Sequence, residues 1–352
     1  MNDYLKNVFE QPKELGKVVN VLCEEELAEV KQIAGLMTVA EDIVLTSMGS
    51  AYNSLMPMYY ALRRKGKRVT LIETSELLQN PGLVKEDAFY LMMSRSGESR
   101  EVYDFSALLE EKGCVLASIT MTKDSTLAKH STVMLYDPCS YDKCICLKAY
   151  SSMALCGLLC VSFMNGKGLS EEDRKELYKM FSWMEKNKER ILEEMGKISF
   201  FKTAHSYNFL SRGYGLGASK AASLWLEEIA FVSGDLMSID SFYHGPIRSI
   251  LNSEIADNVI VPVFFDVLPT ERTTKIWQEV VGAAKESVYF GTDTQKGEGS
   301  VCIYYPDFNL EEEYSLILMA MYVQLFAYQC CIVKGYEPGV SLGIPQDRWV
   351  VK

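Results

Sequence analysis

The turn Ser94-Arg95-Ser96-Gly97-Glu98-Ser99 gathers three hydroxyls within six residues. It follows an apolar run, Phe89 to Met93, that reads as a buried strand. A helical pattern with Val102, Phe105, Leu108 and Leu109 on one face comes after it. A helix starting at such a turn presents outward-pointing backbone N–H groups and the positive end of its dipole, and the serine hydroxyls add donors. Gly97 lets the backbone approach a ligand closely. Phosphate is the anion this arrangement suits. A plainer reading uses the same residues: Ser99 caps the helix while Ser94 and Ser96 fill a turn.

Acid–base chemistry near neutral pH points to the three histidines. His130 ends a charged surface segment and His205 precedes a strand, which suits structural or solvated roles. His244 lies in Tyr243-His244-Gly245-Pro246, a tight turn after Ile239–Phe242, where glycine and proline fix the backbone and aim the imidazole. Upstream, a helix over Leu216–Phe231 carries Glu227 and Glu228 in the apolar stretch AASLWLEEIAFV. A carboxylate desolvated there would have a raised pKa and could shuttle protons. Adjacent residues cannot share a helix face, so one is the solvated partner and the other faces the site. A salt-bridged helix surface is the alternative.

The surrounding elements read as an α/β protein. Residues 1–20 suggest an extended arm leading into a helix over Val21–Met37. Strands at Ile43–Ser47, Arg68–Ile72, Phe89–Met93, Cys114–Thr120 and Thr132–Tyr136 alternate with helices, the pattern of a parallel sheet covered on both faces. Ligands of such sheets bind beyond the carboxyl ends of the strands, where Gly49-Ser50 and the serine turn lie. A long apolar helix near Leu147–Met164 follows, then a charged helical segment, Glu171–Glu194. The pattern restarts at Tyr207–Ser211, with a turn at Arg212-Gly213, strands at Asn258–Phe265, Glu286–Tyr289 and Ser300–Tyr305, and an apolar helix over about Glu311–Val333. Gly49 and Gly213 each end a first strand, and an apolar helix closes each half, so a duplicated α/β unit is the simplest account. The expected division is an arm at 1–20, a first domain at 21–168, a linker helix at 169–196, a second domain at 197–338 and a tail at 339–352.

Composition narrows the function. With 352 residues, 48% hydrophobic and 24% charged, the chain has ample core for two soluble domains. A net charge of −11 without a basic run argues against a nucleic-acid partner. The run Tyr314–Val333 is long enough to span a bilayer, but Gln324, Tyr328 and Gln329 favour a buried core or interface helix, so no membrane partner is expected. The polar start MNDYLKNVFEQPKEL lacks the apolar core of a secretion signal, and the ten cysteines sit mostly in apolar runs, as reduced thiols of a cytoplasmic protein do. Cys144-x-Cys146 lacks the further ligands of a zinc site, so no metal is expected.

Several motifs in order resemble the sugar isomerase (SIS) family of phosphosugar-binding proteins. The likeness is to the tandem-SIS isomerase half of glucosamine-6-phosphate synthase, to amino-sugar-phosphate deaminases and to fructosamine-6-phosphate deglycases. The turn 94–99 is similar to the family's phosphate loop, Phe9-Glu10-Gln11-Pro12 to its N-terminal arm and Gly49-Ser50 to its first sugar-contacting turn. Leu147-Lys148-Ala149-Tyr150 is similar to the start of the helix closing the first domain. Leu226-Glu227-Glu228-Ile229 and, sixteen residues beyond Glu228, His244-Gly245-Pro246 are similar to the catalytic glutamate segment and the His-Gly-Pro turn.

The resemblance implies two tandem SIS domains, each a parallel five-stranded sheet flanked by helices. It implies a cofactor-free enzyme in which Glu228 is the base moving a proton between the carbons flanking a carbonyl or imine. His244 opens the sugar ring and enters from the neighbouring subunit of a homodimer. Ser94, Ser96, Ser99 and Arg95 hold the phosphate with help from Ser50, and Gly49, Gly97, Trp225 and Arg348 are possible further substrate contacts. The implied activity is isomerisation or deamination of an amino-sugar 6-phosphate. A fructosamine-6-phosphate deglycase is the alternative enzyme, and a phosphosugar-binding regulator the non-enzymatic one. Three departures bear on amino transfer. No glutaminase segment with a nucleophilic cysteine precedes the sugar domains. Trp225 stands where the synthases carry a lysine. The tail Gly339 to Arg348 lacks the family's Pro-Arg pair and following lysine, with Arg348 a candidate substitute.

Overall fold

A computed structural model of the chain describes residues 1–142, 145–251, 259–267, 269–292 and 297–339. These form two compact units, one of Lys6–Glu185 and one of Met1–Leu5 with the described residues from Lys186 on. The first half of the chain runs α1 (Asp3–Glu24), α2 (Leu27–Val39), β1 (Asp42–Ser47), α3 (Gly49–Ser54), α4 (Met56–Arg64), β2 (Arg68–Glu73), α5 (Thr74–Gln79) and β3 (Phe89–Ser94). It continues through α6 (Arg100–Glu111), β4 (Val115–Thr120), α7 (Thr126–His130), β5 (Val133–Tyr136), α8 (Lys148–Ser162) and α9 (Glu171–Gly196). The rest comprises β6 (Ala204–Ser211), α10 (Gly215–Ala230), β7 (Ser233–Ser238), α11 (Ile239–Tyr243), α12 (Arg248–Leu251) and β8 (Val259–Phe265). After these come α13 (Glu271–Ala283), β9 (Val288–Thr292), β10 (Val301–Tyr305) and α14 (Ser315–Val333).

Both sheets are five-stranded and parallel, in the orders β2-β1-β3-β4-β5 and β7-β6-β8-β9-β10. The second order repeats the first, strand for strand. In each, the connections leave the middle pair in opposite directions, so a crevice opens beyond the carboxyl ends of β1 and β3 and of β6 and β8. A matching hydrogen bond ties each pair there. Ser47 Oγ donates to the Met93 carbonyl, and Ser211 Oγ to the Phe265 carbonyl at 2.8 Å. Gly49 and Gly213 follow at φ +56° and +58°, conformations that favour glycine.

Burial explains the apolar runs. All six residues of β3 are buried, and Tyr90 and Met92 pack with Phe105 and Leu109 of α6. Apolar on every side, α14 has its most apolar window 78% buried, the signature of a core helix. None of the nine described cysteines is in a disulfide, and Cys144 lies outside the described residues.

Two expectations about elements are corrected. Of residues 1–20, all from Asp3 on are helical rather than extended, and the helix expected over Val21–Met37 is interrupted between Glu24 and Leu27. Pro12 offers no N–H to the carbonyl four residues back, that of Val8, and Gln11 Nε2 donates to it instead at 3.2 Å. The strand β7, absent from the sequence reading, is an edge strand whose SGDLMS pattern buries only Gly234 fully, so apolar content does not reveal it.

Candidate active site

The turn after β3 lies at the β1/β3 crevice. Ser94, nearly buried, accepts a hydrogen bond from Gly97 N–H (3.0 Å), and Ser96 Oγ accepts one from Glu98 N–H (3.2 Å). Each hydroxyl therefore fills the turn as an acceptor and keeps its own O–H to donate. Ser99 occupies the N-cap position of α6, yet its side chain makes no capping hydrogen bond. The helix start is thus left open to another acceptor. Gly97 has φ +67°, and a Cβ there would collide with Ser125. Glu98 accepts from Thr126 N–H (2.6 Å) and Thr126 Oγ1 (3.0 Å), so α7 braces the loop. Ser50 sits half-buried in the first turn of α3, after exposed Gly49, on the β1 side of the same crevice.

Arg95 is held from the loop after β5. Its Nη1 donates to the Asp142 carbonyl (3.1 Å), and its guanidinium lies 4.8 Å from the centre of the Tyr141 ring. The buried Asp142 in turn accepts from the N–H groups of Leu147 and Ala149, both at 2.9 Å, at the start of α8. Burial raises its carboxyl above the ordinary range, against the pull of those bonds. In the same loop, burial pushes the Asp137 carboxyl up to about 6, although Ser152 Oγ donates to it at 2.5 Å. Sequence pattern gives Asp142 no role, because its partners are backbone groups.

The two family-like motifs at 9–12 and 147–150 meet. Lys148 Nζ lies 2.7 Å from Glu10 Oε2, and Ser151 Oγ donates to Gln11 Oε1 at 2.6 Å. These residues knit α1 to α8 within the first unit.

In the second unit, α10 starts beyond the carboxyl end of β6 and returns to the amino end of β7, which places Glu227 and Glu228 near that amino edge. Both are exposed in the single chain, which corrects the expectation that one is desolvated by the apolar residues around it. The neighbours Trp225, Leu226, Ile229 and Ala230 turn inward instead. Trp225 is wholly buried and fills the core, so it does not line an open surface as a substrate contact would. Tyr4, which the sequence does not single out, lies near Glu228. Burial lifts its hydroxyl well above the ordinary range, and the Glu228 carboxylate adds to the rise. Tyr4 also donates to the Gln324 carbonyl (3.0 Å) and stacks on Tyr328.

His244 caps α11 beyond the carboxyl end of β7, its N–H donating to the Asp240 and Ser241 carbonyls at 3.1 and 3.2 Å, and its side chain is exposed. The six residues of β7 separate it from the end of α10, about 20 Å at roughly 3.3 Å per residue. One chain therefore does not bring Glu228 and His244 together. Arg348 lies outside the described residues.

No family model matches the chain. The isomerizing glutamine–fructose-6-phosphate aminotransferase of Pyrobaculum aerophilum is 23% identical over 344 residues, 95% of this chain and 55% of that protein. The chain thus spans about half the length of the relatives it matches. Among solved structures, the C-terminal domain of glucosamine-fructose-6-phosphate aminotransferase from Francisella tularensis superposes with a TM-score of 0.81 at 17% identity. It covers 96% of this chain and 98% of its own. Glucosamine-6-phosphate deaminase from Thermotoga maritima gives 0.76 at 19% identity, covering 98% of each chain. Over nearly its whole length, the chain resembles the isomerase half of the isomerizing glutamine–fructose-6-phosphate aminotransferases and shares the fold of the SIS phosphosugar isomerases.

Proposed function

We propose that this protein is a cytoplasmic phosphosugar isomerase that deaminates an amino-sugar 6-phosphate, working as a homodimer of two tandem SIS domains per chain. The observation that carries the reading is the turn 94–99: a helix start with an uncapped N-cap serine, flanked by two serines whose O–H groups remain free to donate. A phosphate dianion matches that donor set and the dipole behind it. Ser94, Ser96, Ser99 and Arg95 grip the phosphate, with Ser50 assisting from the β1 side of the crevice. The likeness to an aminotransferase's isomerase half and to a glucosamine-6-phosphate deaminase supports the substrate class.

In the proposed reaction His244 of a second copy moves a proton between the ring and anomeric oxygens, giving the open-chain aldehyde. Glu228 then takes the C2 proton and returns it to C1, so the 2-amino aldose becomes a C2 imine. Water adds at C2 and ammonia leaves, giving the ketose 6-phosphate. Phosphate binding far from the reacting carbons orients the chain of the sugar. Incubating the protein with glucosamine 6-phosphate and assaying ammonia and ketose tests the reading, with Glu228→Gln as control. Turnover lost in the variant, with sugar-phosphate binding kept, supports it. Binding without turnover of any amino-sugar or fructosamine phosphate would leave a regulator. Release of a free amino acid from a fructosamine 6-phosphate, with no reaction on glucosamine 6-phosphate, would make it a deglycase.

A further inference from the structure

The second unit has a cavity of about 560 Å³ at the amino-terminal edge of its sheet, opposite the β6/β8 crevice. Its walls come from the segment leading into β6, the end of α10 and the end of α14. Three nitrogen-bearing side chains line it (Lys202, His205 and Lys334), and no lining residue is acidic, in a chain of net charge −11. Lysines near helix carboxyl ends often only balance the dipole. Here Lys334 Nζ donates to the Ala204 carbonyl at the start of β6 (3.1 Å), and Lys202 and His205 have no side-chain partner among the described residues.

The aromatic wall is strained. Phe231 has φ +53° and ψ +38° and is, among the described residues, the only non-glycine with positive φ. A left-handed conformation crowds the β-carbon of any residue but glycine against the following carbonyl oxygen. The position just past a helix end ordinarily takes glycine for that reason. The strained ring is nevertheless 50% exposed, edge to face with the exposed Tyr336 at 5.0 Å between centroids. Strain held at an exposed aromatic beside a cationic cavity is the pattern of a binding surface.

We infer that this cavity binds a nucleoside diphosphate, its phosphates between Lys202 and Lys334 and its base against the Phe231–Tyr336 pair. The volume lies in the range of small-molecule sites. Two fixed positive charges and an imidazole match a diphosphate better than a single phosphomonoester, which carries about −1.5 to −2. An open aromatic face takes a base of any identity by stacking.

The test is calorimetric titration of the whole protein with ADP, and it reads binding directly, so its outcome is separate from that of the activity proposed above. Two variants alter the cavity at exposed positions. Lys202→Glu reverses an exposed charge, and Phe231→Gly relieves the left-handed strain while removing the platform. Expected are one ADP per chain, a tenfold or greater loss of affinity in each variant, and pyrophosphate binding at least tenfold weaker than ADP. Absence of ADP binding at millimolar concentration, or equal affinity in wild type and both variants, overturns the inference. Pyrophosphate or fructose 6-phosphate binding as tightly as ADP at this cavity overturns the nucleotide assignment.

Discussion

The Glu10 carboxylate lies 2.7 Å from the ammonium of Lys148, a residue 138 positions away whose side chain is only 4% exposed. Glu10 keeps a solvent-facing edge and a second, longer contact with Lys6 at 3.9 Å. The pair is therefore asymmetric: removing the carboxylate strands a buried charge, whereas removing the ammonium leaves a carboxylate that water still reaches. Glu10→Gln is expected to lower stability by about 2 kcal/mol and Lys148→Met by less than half of that. Urea denaturation of both variants checks the order.

Gln11 stands in for the N–H that Pro12 lacks. Gln11→Ala leaves the Val8 carbonyl and the Ser151 hydroxyl without this partner, at an expected cost of about 2 kcal/mol. Adding Pro12→Ala supplies a backbone N–H for Val8, so the double variant should regain about 1 kcal/mol over the single one. Thermal melts of the three proteins read the non-additivity.

Ser99 separates capping from ligand binding. A working N-cap serine contributes about 1 kcal/mol. Since the Ser99 side chain makes no such bond, Ser99→Ala should cost less than about 0.5 kcal/mol while weakening sugar-phosphate binding about tenfold. Ser99→Asp should abolish binding, because it sets a carboxylate where the proposed site would hold the phosphate. Denaturation and calorimetry on the same preparations test both halves.

Asp137 predicts a pH dependence. Its folded pKa of about 6 lies above its ordinary value of 3.8, so between those values the folded state holds the proton more often than the unfolded state. Its contribution to stability is therefore fully present below about pH 4 and is lost as pH rises through about 6. Relative to Asp137→Asn, wild type should lose on the order of 2 kcal/mol between pH 4.5 and 7, read from paired unfolding curves at each pH.

Much of the fold is legible because its signals are local. Fully buried parallel strands such as Phe89–Ser94 are continuous apolar runs, and the turn after β3 carries its chemistry in consecutive residues. What stays hidden depends on tertiary context. The helix through Pro12 depends on Gln11 reaching the Val8 carbonyl, and β7 is a polar edge strand. The apolar residues around Glu228 face inward and leave the carboxylates in water, which a one-dimensional stretch cannot reveal. Nor does the sequence show that β7 sets Glu228 and His244 at opposite edges of one sheet.

That separation makes a site shared between two copies testable in a single preparation. Glu228→Gln and His244→Asn chains, co-expressed with different tags, give a purified heterodimer in which one shared site would pair an intact Glu228 with an intact His244. If the site is shared between copies, each homodimeric variant is inactive in ammonia release from glucosamine 6-phosphate, and the heterodimer recovers roughly half of the wild-type rate. A heterodimer as inactive as its parents would mean that Glu228 and His244 do not complete one site between copies.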